Sequence, residues 1–437
     1  MGKFIVKGGK PLFGEIALAG AKNAASKMFV ASLLTEEPCI FKSVPAIGEL
    51  EIVVELLRSI GSRVEIAGPT ASVSTPEIKN NRVIQLSRRN RIPILALGPL
   101  LARTGEAEVP FLGGDKIGPR PVDIHLAGLE KLGAHIEATE TSYHAWAPDG
   151  LHGAEIELRF PSVGATENIL LAATLAKGKT VIKNAALEPE IIDLIKLLQK
   201  MGAIIELQPP RTIMIEGVPR LHGATQRVMP DRNEAVSFAC LAIATNGRIK
   251  LKGAIQEHLI TFLNAARRLG GEYEVDEDGI AFWRAQNGGG KGILLPLDIR
   301  TDVHPGFMTD WQQPLAVLLT QAHGTSTIHE TIYEDRFAYV NDLNQMGANI
   351  KVSSECPPDD PCRFAGKGLN HFATIEGPTP LESKNLIVRD LRSGMLDILA
   401  ALVATGVSEI DGVEEIDRGY EIIDARLRQL GAEITRV

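Results

Sequence analysis

Residues 111–124 read F-L-G-G-D-K-I-G-P-R-P-V-D-I and place an acid (Asp115), a lysine (Lys116) and an arginine (Arg120) within six positions. Three glycines and two prolines oppose a regular helix or strand here, between a strand-like run at 106–110 and a helix-like run at 125–132. A glycine-hinged segment that carries a titratable group beside fixed cations has the composition of a lid closing over an anion. A solvated connection would share that composition, so the rest of the chain must decide.

The elements that would position such a loop come from an internal repeat. A helix end, a glycine and a strand recur at 56–66, 129–138, 197–207, 266–275, 343–352 and 427–437. Their glycines, Gly61, Gly133, Gly202, Gly270, Gly347 and Gly431, lie roughly seventy to eighty residues apart and suit the left-handed residue that ends a helix. Upstream of each lies an apolar helical run, at 23–34, 92–102, 165–176, 233–244, 311–322 and 392–404. The unit reads strand, helix, strand, helix, strand, with room for one further strand. Six copies imply an α/β protein in two halves of three, divided near 226–232. Runs such as ILLAATLA and SFACLAIA are apolar nearly all round, so these helices belong inside each half.

The residues that open the six helices are chemically pointed. Lys22-Asn23, Arg91, Ser162-Val163-Gly164, Asp231-Arg232, Thr309-Asp310 and Asp390-Leu391-Arg392 occupy matching places in the repeat. Ser162, Asp231 and Asp310 suit ordinary N-caps, each contributing about 1 kcal/mol. Lys22, Arg91 and Arg392 do not, because the helix dipole disfavours a cation at that end. If the halves face each other, the six helix starts converge on one cleft. With Arg120 and Arg418 added, it would hold a polyanion such as a phosphate ester.

Bulk properties narrow the class. The chain has 437 residues, 44% hydrophobic and 23% charged, with a net charge of −8. That charge disfavours a nucleic-acid coat or an anionic membrane surface as partner. The N-terminus lacks an apolar signal core and no apolar run reaches membrane-spanning length, so a cytoplasmic protein is expected. Cys39, Cys240, Cys356 and Cys362 look too few and too scattered for a disulfide framework or a zinc site. Cys39 and Cys240 read as small core residues, and Cys356 and Cys362 as a reduced pair flanking a Pro/Asp loop. The glycine-rich 287–292 lacks the hydroxyl residue and following helix of a P-loop, and no metal or dinucleotide motif is present.

The motifs AGAKNA (19–24), GGDKIGPRPVD (113–123), SVGAT (162–166), PDR (230–232), HPGFMTD (304–310), ETIYEDRF (330–337), RDLR (389–392) and DRGYE (417–421) together resemble the UDP-N-acetylglucosamine 1-carboxyvinyltransferases, a family of enolpyruvyl transferases. The resemblance spans the chain. It implies an inside-out α/β barrel of two domains, each of three βαβαββ-type repeats: 22–229, and 1–21 with 230–437. It further implies a ligand cleft between the domains, a lid at 111–121 and no cofactor or metal. The implied ligands are phosphoenolpyruvate and UDP-N-acetylglucosamine. Enolpyruvyl would pass to the sugar 3-hydroxyl with release of phosphate, at the entry to peptidoglycan precursor synthesis.

By resemblance, Lys22 and Asn23 bind phosphoenolpyruvate, and Arg120, Arg392 and Arg418 clamp its phosphate and carboxylate. Arg91, Arg120, Pro121, Val122, Asp123, Ile124, Ser162, Val163, Gly164, Asp310 and Ile332 hold the nucleotide sugar, and Asp310 is the base for its 3-hydroxyl. The catalytic set is thus Asp115, Asp310, Lys22 and Arg392. The sequence departs from the family at the lid, where Asp115 replaces the usual cysteine. A carboxylic acid can deliver the same proton if its pKa is raised. It cannot form the thioether that a cysteine makes with fosfomycin, so a fosfomycin-insensitive enzyme is expected. Glu49 also stands where the family often has aspartate. His304 is expected to orient the base loop, and His125 to pack. Competing readings are transfer to shikimate 3-phosphate or to a UMP-like nucleotide, or a non-catalytic UDP-sugar-binding paralogue.

Overall fold

The repeat dictates the architecture. The computed structural model describes residues 2–88, 90–111, 113, 121–287, 290–388 and 391–437, with only the backbone at 287, 290, 291 and 392. The chain separates into two compact units, one from the described residues of 20–113 with 121–229, the other from 2–19 with 230–437. In the third copy the order is strand Glu155–Glu157, helix Val163–Ala173, strand Lys179–Lys183, helix Pro189–Lys200 and the hairpin Ile204–Gln208/Thr212–Glu216. Glu155–Glu157 runs parallel to Lys179–Lys183, Thr212–Glu216 lies antiparallel on its other side, and Ile204–Gln208 forms the edge. Four other four-stranded sheets share this order of one parallel and two antiparallel pairings. The second copy has a three-stranded sheet, with a lone parallel bridge from Arg82 to Glu108 in place of the fourth strand.

Three sheets are completed by strands distant in sequence. In the first unit, Thr225–Arg227 pairs parallel with Cys39–Lys42. In the second, Phe13–Ala17 pairs parallel with Arg248–Lys252. Lys3–Lys7 lies antiparallel to both Val407–Asp411 and Glu433–Arg436, so the first strand of the chain is the last strand of the sixth copy.

Helices fill the interior of each unit and sheets form its wall, which is the inside-out α/β arrangement. Every residue of helix Arg232–Ala244 is buried, and it packs on helices Gln312–Leu319 and Leu391–Val403. The fifth helix, Gln312–Leu319, is shorter than its apolar pattern implies: a 3-10 turn, Thr309–Trp311, takes its first residue, and it ends at the cap Thr320. The second helix of each copy is amphipathic and lies beneath a sheet. Strands alternate: Ile213 and Ile215 are buried, whereas Glu216 faces solvent. All six repeat glycines adopt the left-handed conformation, with φ between 92° and 118°, where a side chain would be strained. Among the described residues no helix is long and apolar enough to cross a membrane.

Phe238 sits on the fully buried helix Arg232–Ala244, under the guanidinium of Arg426 at 5.2 Å from its ring. Phe238→Ala is expected to lower unfolding stability by about 3–5 kcal/mol, read from urea denaturation; a loss below about 1 kcal/mol would contradict all-round burial.

Candidate active site

In the unit formed by 2–19 and 230–437, the chemistry gathers around one buried arginine. Arg336 donates from Nη2 to Asp310 Oδ1 at 2.5 Å and from Nη1 to Thr309 Oγ1 at 2.6 Å. Thr309 in turn donates to Glu330 Oε2 at 2.7 Å, and Gln312 Nε2 bonds the same oxygen. The other Glu330 oxygen accepts the backbone N–H groups of Ile332 at 2.7 Å and Tyr333 at 2.9 Å. The second Asp310 oxygen accepts from Asn233 Nδ2 at 3.3 Å, and Asn233 Oδ1 accepts from Trp311 Nε1 at 3.0 Å. Burial pushes the Glu330 carboxyl up, against the nearby Arg336 charge and the hydrogen bonds it accepts. Burial opposes the charge of Arg336, but Asp310 and Glu330 outweigh it and raise its pKa.

Asp310 is therefore no N-cap. Its two oxygens are committed to Arg336 and Asn233, and its side chain keeps 16% exposure, enough to meet a ligand. Asp231 is the cap of this unit's first helix, accepting from the N–H groups of Asn233 and Glu234. Arg418 pairs with Glu415 at the end of helix Val413–Asp417. Ile332 is held through its N–H by Glu330 and through its carbonyl by Arg363.

In the other unit, Lys22 is the first residue of helix Lys22–Ala31, which has no side-chain cap. Its Nζ lies 3.9 Å from Glu49 Oε1 with both side chains largely buried, so the glutamate partly offsets the cost of a cation at the helix start. Asn23 follows it on the same turn, half-buried. Arg91 Nη2 donates to the Pro121 carbonyl at 3.3 Å, bringing together two residues of the expected nucleotide shell. Val122 precedes helix Asp123–Lys131 without a side-chain capping bond, Asp123 pairs with Arg159, and Ile124 packs against the core. Ser162 caps helix Val163–Ala173 by accepting from Ala165 N–H at 3.4 Å. Gly164 lies so close to buried His125 that a Cβ there would sit 2.8 Å from its Cε1. His125 thus packs, as its sequence context implies.

One residue of this helix is an outlier. Glu167 is fully buried, and neither carboxylate oxygen has a hydrogen-bond partner among the described residues. Burial, with Glu188 and Glu190 adding to it and Lys27 opposing, pushes its pKa up to about 7.

Lys22, Asn23, Arg91, Pro121, Val122, Asp123, Ile124, Ser162, Val163 and Gly164 belong to one unit, and Asp310, Ile332 and Arg418 to the other. Asp115, Arg120 and the Arg392 side chain lie outside the described residues, as does most of the expected lid. Sequence reasoning missed Arg336, Glu330 and Asn233. The first two stand in the quoted stretch ETIYEDRF, where three charged side chains precede a buried aromatic, a pattern that alone could have marked a buried ion pair.

The fold and the sequence match a known class. Residues 6–427 match the family described as EPSP synthase (3-phosphoshikimate 1-carboxyvinyltransferase). The solved enolpyruvyl transferase NikO from Streptomyces tendae shares the fold at a TM-score of 0.85 and 22% identity, covering 100% of this chain and 99% of that one. EPSP synthase from Acinetobacter baumannii shares it at 0.72 and 17%, covering both chains in full at 100%. Proteins named UDP-N-acetylglucosamine 1-carboxyvinyltransferase are much closer in sequence. That of Protochlamydia amoebophila is 48% identical over 99% of this chain and 94% of its own. That of Chlamydia muridarum is 46% identical over 98% and 97%, and that of Gluconobacter oxydans 42% over 100% of each. The chain therefore belongs to the carboxyvinyltransferases and, within them, to the UDP-N-acetylglucosamine 1-carboxyvinyltransferase family of enzymes.

Glu167 gives a pH signature. Its folded pKa of about 7 lies above the ordinary glutamate value of 4.5, so the folded state holds a proton that the unfolded chain has released between those values. Stability therefore falls as pH rises across that window and levels off above it. Replacing the acid by its neutral isostere removes the effect. The stability advantage of Glu167→Gln over the wild type should grow by on the order of 3 kcal/mol between about pH 4.5 and 7.5 in urea titrations; a difference that does not vary with pH would refute the assignment.

Proposed function

We propose that this enzyme transfers the enolpyruvyl group of phosphoenolpyruvate to the 3-hydroxyl of UDP-N-acetylglucosamine and releases phosphate. The observation that carries the reading is the fixed Asp310, offered at the start of the fifth repeat by Arg336 and Asn233. It stands in a chain 48% identical to a transferase named for that acceptor. In this reading Asp310 takes the proton of the 3-hydroxyl as its oxygen attacks C2 of phosphoenolpyruvate, and Asp115 delivers a proton to the C3 methylene. Loss of a proton from the resulting methyl group then expels phosphate and restores the double bond. Lys22 and Asn23 bind phosphoenolpyruvate, while Arg120, Arg392 and Arg418 neutralise its phosphate and carboxylate. Arg91, Pro121, Val122, Asp123, Ile124, Ser162, Val163, Gly164 and Ile332 hold the uridine nucleotide and sugar. The reaction would open peptidoglycan precursor synthesis in the cytoplasm.

Arg336 is a positioning residue here, since it acts through Asp310. Arg336→Lys keeps the charge but loses the two-pronged grip. It is expected to lower kcat by roughly 10–100-fold with little change in KM for phosphoenolpyruvate. A KM effect with unchanged kcat would assign Arg336 to binding instead.

The direct experiment follows phosphate release from phosphoenolpyruvate plus UDP-N-acetylglucosamine, with shikimate 3-phosphate and UMP as competing acceptors. The wild type should turn over with the nucleotide sugar alone and resist fosfomycin. Asp115→Ala should lose on the order of 100-fold or more in rate. Asp115→Cys should recover activity and become fosfomycin-sensitive. Wild-type inactivation through a stable fosfomycin adduct would remove Asp115 from its role. Binding of the sugar nucleotide without turnover would remove the proposed reaction.

A further inference from the structure

The sequence gives no expectation of a metal, because its four cysteines look too few and too scattered. The fold gathers two of them with two histidines. His329 ends strand Gly324–His329 and pairs in register with Phe372 of the neighbouring strand Phe372–Gly377. That register puts His371 alongside it, with ring centroids 5.8 Å apart. Cys356 and Cys362 come from segment 354–371, which joins strand Asn349–Ser353 to Phe372–Gly377 and folds back over both rings. Cys356 Sγ lies 3.3 Å from Cys362 Sγ and 3.1 Å from His371 Nε2. One donor atom from each of the four side chains falls within 4.8 Å of every other. A tetrahedral ion with bonds of about 2.3 Å to sulfur and 2.0–2.1 Å to nitrogen needs donor spacings of about 3.3–3.8 Å.

The surroundings are those of ligands held in place. The Nδ1 atom of His329 faces Asp360 Oδ2 at 3.1 Å, and that carboxylate is itself paired with Arg300 at 3.0 Å. The Nδ1 of His371 is 2.6 Å from the Leu369 carbonyl oxygen. Each ring is thus fixed through one nitrogen and offers Nε2, the arrangement that carboxylate and carbonyl partners impose on metal-bound histidines. His329 Nε2 is buried and has no protein partner among the described residues. Backbone N–H groups of Cys362 and Phe364 point at the sulfurs of Cys356 and Cys362, at 3.3 Å and 3.4 Å.

We propose that His329, Cys356, Cys362 and His371 bind a structural zinc ion. Two thiolates and two imidazoles in a tetrahedral set select zinc over magnesium, calcium or manganese. Four protein donors close the coordination sphere, so the ion is structural and does not activate water. A Cys356–Cys362 disulfide would use the same sulfurs but leave His329 Nε2 without a partner. The benefit falls on segment 354–371, which has neither helix nor strand and exceeds the roughly 12–15 residues beyond which unstructured loops become uncommon in compact domains. Arg363 of this segment bonds the Ile332 carbonyl and lies 3.8 Å from Glu334. The ion therefore braces the stretch that carries Glu330, Ile332 and Arg336.

The test uses the full chain purified under reducing conditions, passed over a weak chelator and assayed for metal by plasma mass spectrometry. About one zinc per chain is expected, retained in Cys39→Ala and lost in Cys356→Ser/Cys362→Ser. A second measurement does not depend on those variants folding. Wild-type protein stripped of metal and titrated with cobalt(II) should develop a thiolate-to-cobalt charge-transfer band and the visible bands of a tetrahedral ion. Absence of both retained zinc and the thiolate–cobalt band would overturn the proposal. So would metal-free wild type whose unreduced mass and peptide map show Cys356 joined to Cys362.

Discussion

A helix without a polar side must find an apolar partner in every direction, and both units are built to supply one. Helix Arg232–Ala244 has no exposed residue, so two further helices and a wall of sheets must enclose it. Burial of such side chains contributes about 1.5–3 kcal/mol each, and no two-layer packing could give it to a helix on all sides. The repeat follows from this need. Three copies bring three such helices together, and each copy carries its own piece of wall.

Enclosed helices leave their N-terminal ends as the places where polar groups can gather, and the buried acids Glu330 and Glu167 meet opposite environments there. Around Arg336 each carboxylate oxygen has a donor, so the cluster holds Asp310 in one orientation. A densely hydrogen-bonded network of this kind stiffens its surroundings, and removing one member leaves a buried charge uncompensated. Glu167 has no such partners, and its environment resolves the conflict by favouring the protonated form. At Glu330 an arginine and several hydrogen bonds oppose the effect of burial, whereas at Glu167 only the charge of Lys27 does.

Local signals were readable in the chain, and non-local ones were not. Each helix-ending glycine and each apolar run lies within a dozen residues of its cause, so the sixfold repeat and its helices could be read directly. The positions of Lys22, Arg91, Ser162 and Asp310 followed from matching those copies. Strand pairing across the length of the chain left no such mark: nothing near Lys3–Lys7 points to Glu433–Arg436. Arg336 escaped notice because its partner Asp310 is 26 residues away. The cysteine–histidine cluster was hidden for the same reason. Cys356 and Cys362 are six positions apart, but His329 joins them only through the register that sets it opposite Phe372.

The pairing of the first strand with the last also sets an order of events during synthesis. The unit built from 20–113 and 121–229 has all its strands once Thr225–Arg227 has left the ribosome. The other unit's first two strands, Lys3–Lys7 and Phe13–Ala17, are made before any of these, yet Lys3 meets Glu409 only 406 residues later. At bacterial or eukaryotic elongation rates of about 5–20 residues per second, that delay lasts on the order of 20–80 seconds. Phe13–Ala17 waits until Arg248–Lys252 is made, and Lys3–Lys7 stays unpaired well after the first unit is finished. Such segments expose backbone donors and acceptors that can pair with other chains. The lysines at and near the first of them, Lys3, Lys7 and Lys10, place charge where a stray strand would dock, and in the folded unit the same charges pair with Glu409, Asp411 and Glu433.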